Sequence, residues 1–148
     1  MHTLKVMKAK VLQGKANPTI RYRALALTSD LQQKDKQGEI RALWEFVRNR
    51  IRYVKDIRGI ETIQDAEQTL VQASGDCDDK AILLDALLES IGHPSGLWAV
   101  GFQPGRFSHV IPITRLGPGN RWFPLETTED KPWGWRPKGV KASLQRYN

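Results

Sequence analysis

The chain has one cysteine, two methionines and three histidines in 148 residues. A lone cysteine cannot close an internal disulfide, so nothing here requires an oxidising compartment. It also excludes a zinc centre built from several thiolates. The start, MHTLKVMKAK, is basic but no apolar stretch follows it, so no signal peptide is expected. Long apolar runs are missing as well. The longest, AILLDALL, is broken by Asp85 and falls far short of the roughly 20 residues that span a bilayer. The expectation is a cytoplasmic protein with no membrane partner.

What is present suits a globular domain. Apolar residues make up 40% and charged residues 26%, enough of each for a core and a solvated surface. The length points to a single domain over 1–148. The net charge of +7 is unevenly placed. Residues 1–58 carry 14 Lys and Arg against 5 Asp and Glu, while 59–148 carry 9 against 11. The basic residues are dispersed, with neither aromatic interleaving nor a reading motif. A solvated basic surface is expected, not specific nucleic-acid binding.

The chain contains no internal repeat and no low-complexity segment. Asn17 and Pro18 form a helix start, and Ile20, Ala24, Leu27 and Leu31 follow at helical spacing, which predicts a helix over 18–32. The stripe Ile40, Leu43, Trp44, Val47 and Ile51 predicts an amphipathic helix over 39–54. DIRGIET breaks that pattern, and IQDAEQTLVQAS has room for one or two helical turns. The strongest helix follows. Ser74 or Asp76 can cap it, Cys77 opens it, and Gly92 and Pro94 of IGHP end it. Beyond that, 96–102, 106–114 and 120–128 read as strands separated by QPG and LGPG. Helices first and then an antiparallel meander make an α+β pattern. The tail, 129–148, is rich in Pro, Gly and Trp and is expected to wrap the surface in extended form.

Chemistry centres on Cys77. It can be a buried structural thiol or a nucleophile. The helix start favours a thiolate, whereas Asp76, Asp78 and Asp79 oppose one. A histidine in contact would have to dominate. His2 is terminal, and His93 lies in a turn before proline, where it is expected to be exposed. His109 lies in a strand. Glu126, 17 positions later, falls on the next strand, where it can orient an imidazole. The reading therefore has a nucleophile, a base and an orienter in that order. The acidic side chains are expected to point away from the thiol, because helix neighbours one or two positions apart do not share a face. A depressed thiol pKa follows from that expectation.

GDCDDKAILLDALLESIGHP, then FSHV, then RWFPLETT resembles the transglutaminase-like core, with its papain-like Cys–His–Asp order. The resemblance covers roughly 41–128. IRYVKDIRGIETIQDAEQTL is similar to the upstream part of bacterial and phage-encoded members, and the whole chain to small stand-alone phage and prophage versions. It implies a papain/transglutaminase-like fold, Cys77 as nucleophile, His109 as base and Glu126 as orienter. Glu126 stands where the family has Asp, and Thr127 where it has Pro. The implied chemistry is amide or peptide-bond hydrolysis, or acyl transfer, through a thioester on Cys77, with no cofactor and no metal. Peptidase or amidase chemistry is favoured over cross-linking. Tyr53 and Trp44 are candidate second donors to an oxyanion, Tyr53 fitting the family's upstream Tyr better. Trp98, Trp122, Trp133 and Trp135 can line a groove or simply pack, and the last two can cover the site. The alternative is a catalytically silent module of a phage particle or its assembly, located in host cytoplasm or virion.

Overall fold

The computed structural model describes residues 2–55 and 63–148; the expected break at 56–62 lies outside the described residues. The helices come first. α1 (His2–Lys15) places Leu4, Met7 and Val11 in the core. α2 (Pro18–Thr28) starts as its sequence dictates, with the Asn17 side chain accepting from the Thr19 amide at 2.8 Å. It ends four residues before the expected limit. There the Thr28 hydroxyl turns back onto the Ala24 carbonyl, at 2.9 Å, and a turn follows. α3 (Lys36–Arg50) is capped by Asp35 and buries Ile40, Leu43, Trp44 and Val47. It stops short of 54 because the chain becomes extended at Ile51 and enters β1 (Arg52–Tyr53). After α4 (Ala66–Gln72), β2 (Ser74–Gly75) pairs parallel with β1.

α5 (Cys77–Ser90) is the central helix. Every residue from Asp79 to Leu88 is buried, so other elements surround it. A capping box holds its start. Asp76 accepts from the Asp79 amide at 3.0 Å, and the Asp79 carboxylate accepts from the Asp76 amide at 3.1 Å. Its end turns at Gly92, with φ of 93°, as the IGHP motif requires.

The meander is β3 (Ser95–Gly101), β4 (His109–Leu116) and β5 (Arg121–Pro124), antiparallel in sequence order. The tail departs from expectation. Its last segment is β6 (Ala142–Tyr147), which pairs antiparallel with β3 and completes a sheet of order β5-β4-β3-β6. Leu97, Ala99 and Val110 face the helices, while Trp98, Val100, Ile111 and Ile113 form a second cluster on the other face. The sheet curls. Trp122 on one edge strand stacks on Tyr147 of the other, with ring centroids 4.6 Å apart. Gly101 lets the loop after β3 fold back: a Cβ there would lie 1.5 Å from the Arg106 carbonyl oxygen. That close return sets where β4 begins, and β4 begins with His109.

Candidate active site

α5 presents Cys77 at its first turn, where amide groups have no intrahelical acceptor and a negative charge is favoured. The thiol is partly buried against the start of β4, and the Val110 amide donates to its sulfur. Cys77 therefore meets the residue directly after His109. His109 and Glu126 are hydrogen-bonded, Nε2 to Oε2, at 2.6 Å. The bond occupies Nε2 and leaves Nδ1 for another partner.

Glu126 is held tightly. Its side chain is 1% exposed. Oε1 accepts from the Thr128 amide at 2.8 Å and the Thr128 hydroxyl at 2.9 Å. Its own carbonyl accepts from the Trp44 indole N–H at 2.7 Å. Each oxygen of the carboxylate has a separate task, one on the imidazole and one on the loop. Glutamate, longer by a methylene than the family's aspartate, still meets the ring.

The charges on the pair follow from these contacts. Burial alone would lower the His109 pKa; the hydrogen bond and charge of Glu126, helped by Glu129 and Asp78, outweigh it and raise the pKa. For Glu126, burial would raise the pKa, but His109 and the Thr128 donors lower it. Each partner therefore favours the charged form of the other.

Cys77 departs from expectation. Burial first, then the charges of Asp78 and Asp76, push the thiol up to about 12, against the Val110 amide. Asp78 does point at it: Sγ donates to Oδ1 at 3.6 Å. Residues one apart do not share a helix face, but in the first turn a short carboxylate can bend back to its neighbour's sulfur. Asp79 turns away as expected, taking the Gln64 amide and side-chain N–H, each at 2.8 Å. Asp76 is raised to about 7, by burial first and also by its carboxylate neighbours, against the Asp79 amide that lowers it.

Tyr53 and Trp44 are separated by the fold. Tyr53 pairs through its backbone with Gly75, is 46% exposed, and feels the charges of Cys77, Asp76 and Asp78. It stands at the mouth beside the thiol. The Trp44 N–H is already engaged by the Glu126 carbonyl, so Trp44 holds the loop that carries Glu126. Trp133 packs on Trp44 and Phe123, with centroids 5.1 and 4.9 Å away, as part of the core. Trp135 lies under Lys131, Trp98 donates to the Ser143 hydroxyl, and Trp122 stacks on Tyr147. His93, expected in solvent, is 7% exposed and bonded to Glu39 at 2.7 Å. Its turn is covered by α3, a contact 54 residues away in sequence. Thr128, Val110 and Lys80 were not singled out from sequence.

Glu126, expected on a strand over 120–128, lies in the loop beyond β5, which ends at Pro124, with its carbonyl turned to the Trp44 indole; the order is helix-start thiol, strand histidine and loop carboxylate. The family model of the transglutaminase-like superfamily matches residues 23–127. The chain belongs to that superfamily. The match begins upstream of 41 and takes in most of α2 as well as α3. Among solved structures, a candidate protease from Parabacteroides distasonis ATCC 8503 has a similar fold, with a TM-score of 0.67 at 17% identity over 85% of this chain. A candidate cysteine protease from Cytophaga hutchinsonii has a TM-score of 0.59 at 18% identity over 74% of it. This chain spans only 26% and 37% of those two proteins. No curated protein matches the sequence. At these identities the two structures bear on the fold alone, and it is the fold of a helix-start thiol packed on an antiparallel sheet. Among the described residues no helix is long and apolar enough to cross a membrane.

Proposed function

We propose that this transglutaminase-like protein cleaves amide bonds of a protein or peptide through a thioester on Cys77, with His109 as acid–base and Glu126 as its orienter. One observation carries the reading. The sulfur is bound by the Val110 amide, next in sequence to a His109 whose Nε2 is fixed on Glu126, and the reading assigns the ring's other nitrogen to the thiol.

The steps follow from these groups. The thiol rests protonated. As Sγ bonds to the amide carbon, its proton passes to His109, which must enter the step neutral. The carbonyl electrons move onto oxygen, where the Cys77 amide in the first turn of α5 is the first donor and the Tyr53 hydroxyl the candidate second. The C–N bond breaks, and His109 returns the proton to the leaving amine. Water then adds to the thioester, gives its proton to His109, and releases the acid and the thiol.

The thiol held at about 12 is the one observation that favours the rival, a fold kept as a silent phage structural or assembly component. Mass spectrometry separates them. The wild-type protein is mixed with an N-acyl peptide thioester or anilide, quenched in acid and weighed. A hydroxylamine-sensitive acyl adduct that maps to Cys77 and is absent from Cys77→Ala supports catalysis. No adduct, together with a Cys77 that alkylates no faster than a free peptide thiol at any pH, supports the silent module.

A further inference from the structure

Beside the triad lies a cleft of about 340 Å³, lined by the end of α3, by β1, by Lys80 of α5 and by 127–130. It shares Tyr53 with the mouth of the site, and Thr128 with the loop that holds Glu126. Four of its lining side chains are cationic, Arg48, Arg50, Arg52 and Lys80, against two carboxylates, Glu129 and Asp130. Asp130 is already taken by Arg48 in an ion pair. Arg50 and Arg52 are exposed at the rim.

Two buried donors in this wall are under-used. Lys80 is 2% exposed, and its ammonium, with three N–H groups, bonds only the Ile51 carbonyl, at 2.8 Å, among the described residues. The Arg48 Nε is buried with no acceptor among the described residues. Buried donors are normally satisfied, and a buried ammonium is costly without a counter-charge. Burial lowers the Lys80 pKa to about 8, although the Glu126 charge works the other way. An anion entering from the mouth would supply what this wall lacks.

We propose that this cleft is a substrate subsite that takes a carboxylate side chain, so that the preferred substrate is an acidic peptide with Glu or Asp close to the scissile amide. The inference rests on the amide-cleaving reading above for the place of the scissile bond. The binding itself does not depend on it. The exposed arginines at the rim attract and fork the carboxylate, and Lys80 behind them receives charge without having to reorganise.

The test measures binding to Cys77→Ala, which does no chemistry. N-acetyl tripeptide amides carrying Glu at one of three positions are compared by calorimetry with their Gln counterparts. At one position the Glu peptide binds at least about tenfold tighter, the scale of one charge-assisted hydrogen bond. Charge reversal at the rim, Arg50→Glu with Arg52→Glu, removes the preference. Lys5→Glu with Arg21→Glu changes net charge equally on exposed helix positions elsewhere and leaves the preference intact. Equal binding of Glu and Gln peptides overturns the subsite, and so does loss of the preference in the remote double variant. A separate arm treats the wild type with the same tripeptides ending in a vinyl sulfone. Failure to label Cys77 there counts against the nucleophile, and the binding result still decides the subsite.

Discussion

Asp78→Asn isolates one charge beside the thiol. Oδ1 lies 3.6 Å from Sγ. At about that distance a unit charge opposes a thiolate by about 1 kcal/mol in water and about 4 kcal/mol at the effective dielectric of a partly buried protein site. At 1.36 kcal/mol per pKa unit, the substitution lowers the thiol pKa by between about one and three units. The same carboxylate raises the His109 pKa, so both members of the pair move down together. In the wild type, the first proton leaves a coupled thiol–imidazolium system, and its apparent pKa belongs to the pair. With His109 raised above its ordinary 6.5, the reactive form accumulates only above that pH. The assay is the rate of iodoacetamide alkylation of Cys77 against pH, read by mass. The wild-type midpoint lies above 6.5 and the Asp78→Asn midpoint lies at least one unit lower. Asp76, raised to about 7 in the same turn partly by the Asp78 charge, also moves down in the variant, in the same direction as the thiol and His109. Asp78 also complements the helix dipole, so the variant loses roughly 0.3–1 kcal/mol of stability, too little to unfold it. A midpoint unchanged by the substitution refutes the reasoning: burial alone would then set the thiol.

Other substitutions probe the rest of the site and its support. His109→Ala leaves a thiol governed by burial and carboxylates, so alkylation at pH 8 falls below that of a free thiol of pKa about 8.5; Glu126→Gln removes what raises His109, so the midpoint moves down while acyl transfer slows. Trp44→Phe strands the Glu126 carbonyl and costs about 1–3 kcal/mol in urea unfolding, with kcat falling more than KM rises. Asp85 is fully buried, with Oδ2 bonded to Asn148 and Oδ1 unpartnered among the described residues. Burial raises its folded pKa well above 3.8, so the stability it contributes is complete below that value and is lost as pH rises through the folded pKa. Asp85→Asn therefore flattens the fall of Tm between acid and neutral pH, and an unchanged slope would show that Asp85 is not its source.

Local signals announced the parts of this fold that local chemistry decides. Asn17-Pro18, the Asp76 cap and the Gly92 turn each act within a few residues and stand where the pattern put them, as does the α3 stripe from Ile40 to Val47, while Ile51 is already extended. What went unread depends on distant partners. In α1 the apolar positions alternate with lysines, and only the packing of Leu4, Met7 and Val11 into the core makes them a face. β6 has no apolar alternation; its place comes from backbone pairing with β3 and from the Tyr147–Trp122 stack. Lys80 and Asp85 stand in an otherwise apolar run, and both are buried with their neighbours because α5 is enclosed by other elements. The site shows the same division. Cys77, His109 and Glu126 were legible as an order of elements. The bend of Asp78 onto the sulfur was not, because it depends on first-turn geometry and not on spacing.

That bend changes how the thiol must work. Burial first, and the Asp78 charge after it, raise the thiol from an ordinary 9.0 to about 12, roughly 4 kcal/mol against the thiolate. The dipole of α5 returns only about 0.3–1 kcal/mol at its N-terminus. Asp76 and Asp79 spend their carboxylates on the cap, which stabilises the helix start but adds no positive charge near the sulfur. The helix therefore positions Cys77 without activating it. In the proposed reaction activation falls to His109, and a histidine raised by Glu126 is a stronger base but is less often neutral than an ordinary one. The two effects have opposite signs, and substrate binding decides between them. A substrate that covers the mouth and brings its carbonyl to the α5 amides replaces water around a thiol already protonated, so it need not desolvate an anion before attack. The negative charge then develops on the oxyanion, at the helix start, where the dipole that could not ionise the thiol acts in full.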